Sequence, residues 1–179
     1  MAILPIVTVP DRRLRVKCDP VKEVTDAHRR QLDDMLETMY DAPGVGLAAP
    51  QVGIMERMLV LDPAEKDEKP QPYKIINPVI TWSSEELGSY NEGCLSIPEQ
   101  YADIERPVAV KVKYLDETGK AHEIDADGFL ATVIQHEIDH LDGVLFVDYL
   151  SSLRRNMLVK KAQKSQSSSS TNSTAAVTL

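Results

Sequence analysis

The chain has 179 residues, 42% of them hydrophobic, with 28 acidic against 20 basic side chains and a formal net charge of −8. These are the proportions of a single globular domain that buries its core without covalent staples, and the acidity argues against a general nucleic-acid binder. No apolar run reaches the ~20 residues of a membrane span. The opening MAILPIVTVPDRR is broken by Pro5 and Pro10 and lacks a basic start and a cleavage site, so it reads as neither a signal nor a transit peptide, and the cytoplasm is the expected compartment. Cys18 and Cys94 are the only cysteines, and in a reducing compartment they are expected as free thiols, one of them available to a metal.

In chain order, residues 25–40 predict a helix. Thr25 is placed to cap it, Asp26 suits its first turn, and Leu32, Met35, Leu36 and Met39 form a buried stripe. Pro43-Gly44 ends it. GVGLAAPQVG, residues 44–53, is too rich in glycine and small residues for a regular helix. Gly46, Ala48 and Ala49 would let the backbone lie flat against a ligand, and Gln51 offers an amide donor; alone, the segment reads better as a tightly packed linker. Residues 58–62 predict a short buried strand, 63–72 a charged loop bounded by prolines, and 73–82 a strand in which Pro78 forces a bulge or an edge position. Residues 107–116 alternate, with Val108, Val110, Val112 and Tyr114 on one face; the following ETG and KAHEIDADG suggest a hairpin partner. Residues 128–141 return to helical periodicity, closed by Gly143. The expected architecture is one α+β domain of mostly antiparallel strands, with one helix before them and one after.

The acidic residues all lie at or before Asp148, where residues 1–150 hold 15 basic side chains against 28 acidic ones. Arg154, Arg155, Lys160, Lys161 and Lys164 then follow with no acid. Residues 1–164 are read as one domain, ending in a basic helical extension over 151–164, which serves either as a solvated face or as a dock for an anionic partner. Residues 165–179 are a serine-rich tail, too polar to bury a core and expected to be mobile.

The strongest local signal is His136-Glu137-Ile138-Asp139-His140. Two histidines four residues apart on one helix face bring both imidazoles to one metal ion, and the intervening Glu137 reaches a metal-bound water without ligating the metal. The ion lowers the pKa of that water, and Glu137 takes its proton and returns it to a leaving nitrogen. A catalytic tetrahedral site needs a third protein ligand and one open position. No Glu, His or Cys follows His140, so the third ligand comes from upstream, from Cys94, Cys18, His28 or His122. Cys94, in Glu92-Gly93-Cys94-Leu95-Ser96 among apolar neighbours, is the best of these. Cys18, beside charges and Pro20, looks like a surface turn.

Taken together, Gly44-Val45-Gly46-Leu47-Ala48-Ala49-Pro50-Gln51, Glu92-Gly93-Cys94-Leu95-Ser96 and Gln135-His136-Glu137-Ile138-Asp139-His140 resemble, in order and spacing, the three signature motifs of the peptide deformylase family, over about residues 3–160. The resemblance implies a hydrolase that removes the N-formyl group from the formyl-methionine of new polypeptides and releases formate. It implies that Cys94, His136 and His140 hold the metal, with Glu137 as general base and acid, and with the Gln51 amide and the Leu95 N–H stabilising the oxyanion. Val45, Gly46 and Glu92 match positions lining the substrate cleft. Helix geometry adds Val133, one turn before Glu137, as a wall of the methionine pocket, with Phe129 further out. The family's usual ion is Fe(II); two imidazoles and a thiolate suit zinc equally, and nickel and cobalt are possible substitutes. Nascent formyl-Met chains are the expected partners, with the ribosome a further candidate through residues 151–164; no membrane or DNA partner is expected. Two other readings stay open from the residues alone: an endopeptidase, against which the missing downstream ligand counts, and a metal-stabilised binding module, against which Glu137 counts.

Overall fold

The computed structural model describes residues 2–64 and 68–173. Residues 65–67 of the charged loop and residues 174–179 of the serine-rich tail lie outside the described residues.

Helix α1 (Asp26–Asp41) starts at Thr25, whose N–H and hydroxyl both meet His28 Nδ1, at 3.0 and 2.9 Å. His28 is thus a capping residue, far from any ligand role. Leu32, Met35 and Met39 are fully buried. They pack on Met58, Val60 and Ile76, which lie in the strands of a five-stranded antiparallel sheet. Its strands are β1 (Gly46–Ala48), β2 (Met58–Leu61), β3 (Tyr73–Ser83), β6 (Ala109–Leu115) and β7 (Ala121–Asp127), in the order β1-β2-β3-β6-β7. Alternation explains why β2 is wholly apolar. Met58 and Val60 point to α1, whereas Leu59 and Leu61, with Ile75, Val110 and Val112, point to the other face. There Ala131, Ile134, Ile138 and Leu141 of helix α2 (Gly128–Leu141) cover them. Pro78 sits in β3 where the register with β6 shifts between Ile76 and Val79. The expected bulge is there, inside the sheet and not at its edge.

A two-stranded hairpin stands apart from this sheet: β4 (Leu87–Cys94) and β5 (Ile97–Pro107). The sequence reading did not foresee it, because its inward alternation in β5 runs through Ala102, Ile104 and Arg106 and so lacks the apolar signature of a strand. A separate core cluster lies behind it, with Ile97, Ala102 and Ile104 against Val7, Val9 and Phe146. Helix α3 (Ser152–Ser173) closes this cluster with Leu158 and Ala162.

Two expectations change. Cys18 is no surface turn: it is 3% exposed in the core beneath α2, and its N–H donates to the Leu141 carbonyl at 2.8 Å. The stretch expected to be mobile from residue 165 instead continues α3 as far as Ser173. The single α+β domain stands. Gly143 ends α2 at φ 74°, where a Cβ would come 2.6 Å from the Arg15 carbonyl oxygen.

Candidate metal centre and active site

Helix α2 presents His136 and His140 on one face, with ring centroids 5.0 Å apart. The end of β4 brings Cys94 to the same point, its Sγ 3.2 Å from His140 Nε2. The ligand atoms of Cys94, His136 and His140 all lie within 4.8 Å of one another, and no other cluster of three metal-ligating side chains is found among the described residues. His122 instead pairs with Asp116 at 2.6 Å, and Cys18 lies under α2.

This donor set fits a metal ion. Glu92 Oε2 takes His136 Nδ1 at 2.8 Å, which leaves Nε2 for coordination. Burial opposes a proton on His136, but hydrogen bonds to Cys94 and Glu92 raise its pKa well above that of a free imidazole. His140, desolvated and next to the His136 charge, is pushed well below it. A divalent cation among these groups replaces the proton and serves all three donors. A metal held by these three side chains would keep a position open for substrate or water, as catalytic sites do and structural ones do not.

A cleft of about 410 Å³ opens on the ligands between β1, the β4–β5 hairpin and α2. Val45, Gly46, Gln51, Glu92, Leu95, Val133 and Glu137 all line it beside Cys94 and His136, and Phe129 stands at its wall, half exposed. Glu137 is 4% exposed, and burial pushes its carboxyl up to about 7 against the opposing His136 charge. Its Oε2 has no hydrogen-bond partner. Gly46 is required opposite it, since a Cβ there would lie 2.8 Å from Glu137 Cδ. The Gln51 side chain is fixed at both ends: Oε1 accepts from the Ala48 N–H at 2.8 Å, and Nε2 donates to Ser96 Oγ at 3.2 Å.

Three supporting residues escaped the sequence reading. Arg106, 3% exposed, donates from Nε and Nη2 to the two Glu92 oxygens at 2.6 and 3.0 Å, and from Nη1 to Asp139 Oδ2 at 2.8 Å. Tyr149 donates to the same Asp139 oxygen at 2.8 Å, and its ring lies 4.9 Å from the Arg106 guanidinium carbon. Arg106 thus ties the hairpin carrying Cys94 to the helix carrying both histidines. The one signal available in the sequence was its place on the inward alternation of β5.

Residues 3–156 match the family model for polypeptide deformylases. The chain belongs to the polypeptide deformylase family. Curated deformylases from Mesorhizobium japonicum and Bradyrhizobium diazoefficiens are 55% and 54% identical to it, each over 92% of this chain and over 93% and 97% of their own. The crystal structure of a deformylase from Ehrlichia chaffeensis in complex with actinonin superposes with a TM-score of 0.89 at 44% identity, covering 92% of this chain and 98% of that one. A Legionella pneumophila deformylase gives 0.88 at 43% identity, over 94% and 98%. The chain is therefore a deformylase, a metal-dependent hydrolase of N-formyl groups on polypeptides. No helix among the described residues is long and apolar enough to cross a membrane.

Proposed function

We propose that Cys94, His136 and His140 hold one divalent ion, Fe(II) in the cell, and that Glu137, Gln51 and Leu95 carry the chemistry on the formyl end of nascent chains in the cytoplasm. One observation carries this reading: a thiol and two imidazoles converge within 4.8 Å beside a buried carboxyl that is not among them. When bound, the ion supplies Lewis acidity and lowers the pKa of water.

The remaining work falls to side chains and backbone. An extended formyl-Met peptide lies along the free edge of β4 and pairs with it as an added strand. Its methionine side chain rests on Val133, with Val45 and Gly46 flooring the formyl end and Glu92 closing the cleft behind His136. The Gln51 amide and the Leu95 N–H, which donates to no acceptor among the described residues, stabilise negative charge on the formyl oxygen. Glu137, held near pH 7 by burial, takes a proton from the attacking water and hands it to the departing amine nitrogen. The exposed face of α3, with Arg154, Lys160 and Lys161, supports ribosome docking.

Formate release from formyl-Met-Ala-Ser tests the reading, using protein purified without oxygen and loaded with Fe(II). Release that a chelator abolishes is expected. Glu137→Gln keeps its metal and loses about 10²–10⁴-fold in turnover. Cys94→Ser loses the metal itself, because an unactivated hydroxyl replaces a thiolate. Wild-type turnover in the first variant, or full occupancy in the second, would reassign those residues.

A further inference from the structure

We propose that the segment Val7–Val9 is a positioning element for the oxyanion-stabilising groups, acting through its backbone. The inference rests on the roles given above to Gln51 and Leu95. Those two donors come from different parts of the fold: Gln51 follows β1 of the large sheet, and Leu95 lies in the turn of the β4–β5 hairpin. No backbone hydrogen bond among the described residues joins residues 49–52 directly to residues 94–97. The direct ties come from the Gln51 side chain, whose Nε2 donates to Ser96 Oγ at 3.2 Å and Cys94 Sγ at 3.5 Å; the segment joins the two backbones. The Val7 N–H donates to the Gln51 carbonyl at 2.7 Å, and the Val9 N–H donates to the Ser96 carbonyl at 2.9 Å.

The Val7 and Val9 N–H groups are separated by Thr8 alone, where the chain enters the turn that the Asp11 N–H closes on the Thr8 carbonyl. The strap therefore sets the separation of two carbonyls, one on Gln51 itself and one on the residue after Leu95. The valine side chains turn the other way from Thr8 and are buried, packed against Ile97, Phe146 and Leu158 in the cluster that also borders Cys94. The strap is anchored at both ends: the Leu4 N–H donates to Thr38 Oγ1 of α1 at 2.9 Å, and the Thr8 hydroxyl donates to Gln166 of α3 at 3.0 Å. Neither Val7 nor Val9 lines the cleft, so any effect on turnover must pass through the residues they hold.

Cys18 permits the test in a full-length chain, because a synthetic segment ending at Lys17 can be ligated to it. Replacing the amide of Val7, or of Val7 and Val9 together, by an ester deletes the N–H and leaves every side chain in place. An ester at Ile6, whose N–H has no backbone acceptor among the described residues, is the control. With Fe(II)-loaded enzyme and formyl-Met-Ala-Ser, the double ester is expected to lower kcat about tenfold or more, a fraction of the ~10²–10³ that removal of an oxyanion donor costs. KM and metal content stay within twofold of the control. Val7→Ala and Val9→Ala, which keep the N–H groups and lose packing, lower the melting temperature and retain kcat. A double ester matching the Ile6 ester in kcat overturns the proposal, and so does a kcat loss that merely follows metal loss. If the ester chain does not refold, Val7→Pro deletes the same donor and is read in the same way. An unmodified ligated chain that releases no formate refutes the assignment of the site itself, a result separate from the fate of the strap.

Discussion

Glu92 shows how one buried carboxylate serves both architecture and chemistry. Burial opposes its charge, yet hydrogen bonds from His136 and Arg106 hold its pKa below the usual carboxylate value. It is therefore anionic, and that charge orients the His136 ring toward its ligand position. Glu92→Gln is expected to weaken metal binding by roughly 10–100-fold in a chelator competition, with the fold intact. Arg106→Met is a harsher change, because it strands Glu92 and Asp139 without their shared cation. Urea unfolding of the metal-free variant should show a loss of about 3–5 kcal/mol; a loss under 1 kcal/mol would mean water reaches the pair. The candidate ligands were legible unequally: His136 and His140 stand four apart around Glu137, whereas Cys94 was one of four upstream candidates until the resemblance singled it out. Arg106 was not legible, since an arginine in a polar stretch ordinarily faces solvent. Only the hairpin's alternation reveals that it points inward.

At the scale of elements, legibility followed apolar periodicity. Helices α1 and α2 and strands β2, β3 and β6 carry hydrophobic patterns, and β7 follows from the turn before it. The β4–β5 hairpin does not: LGSYNEGC alternates with little apolar content, and its partner turns Ala and Arg inward. The helical run of α3 beyond Lys164 was hidden by serines whose composition argues for disorder. What holds its first half is a short apolar face, with Leu158 and Ala162 one turn apart against the hairpin. Arg154, Lys160 and Lys161 are exposed along α3. Charge reversal at Arg154, Lys160 and Lys161 is expected to leave turnover of a formyl tripeptide within twofold and to abolish co-sedimentation with ribosomes. Retained co-sedimentation would remove the docking role from this helix.

At the scale of the whole molecule, the core between the large sheet and α2 also suppresses the ionisation of a thiol. Cys18, packed between β-sheet and α2, is pushed up to about 11 by burial, with the nearby Arg57 charge opposing. Unfolding restores a thiol that titrates near 9. The folded state thus keeps its proton where the unfolded state loses it, and the stability Cys18 contributes, complete below pH 9, falls as pH rises toward 11. Cys18→Ala should flatten this alkaline loss in melting curves taken from pH 8 to pH 11. In the folded protein the thiol should also resist a maleimide that labels it once urea is added.

The strap adds a direction in time. Val7 and Val9 leave the synthesising ribosome before Gln51 and Ser96, whose carbonyls they must find, and long before Gln166, which receives Thr8. The residues made early are placed late, so a growing chain of this enzyme holds the Gln51 and Ser96 carbonyls without their strap contacts, and α2 with both histidines unmade, until most of the domain has emerged. An enzyme that trims the ends of growing chains therefore gains its own competence only near the end of its own synthesis.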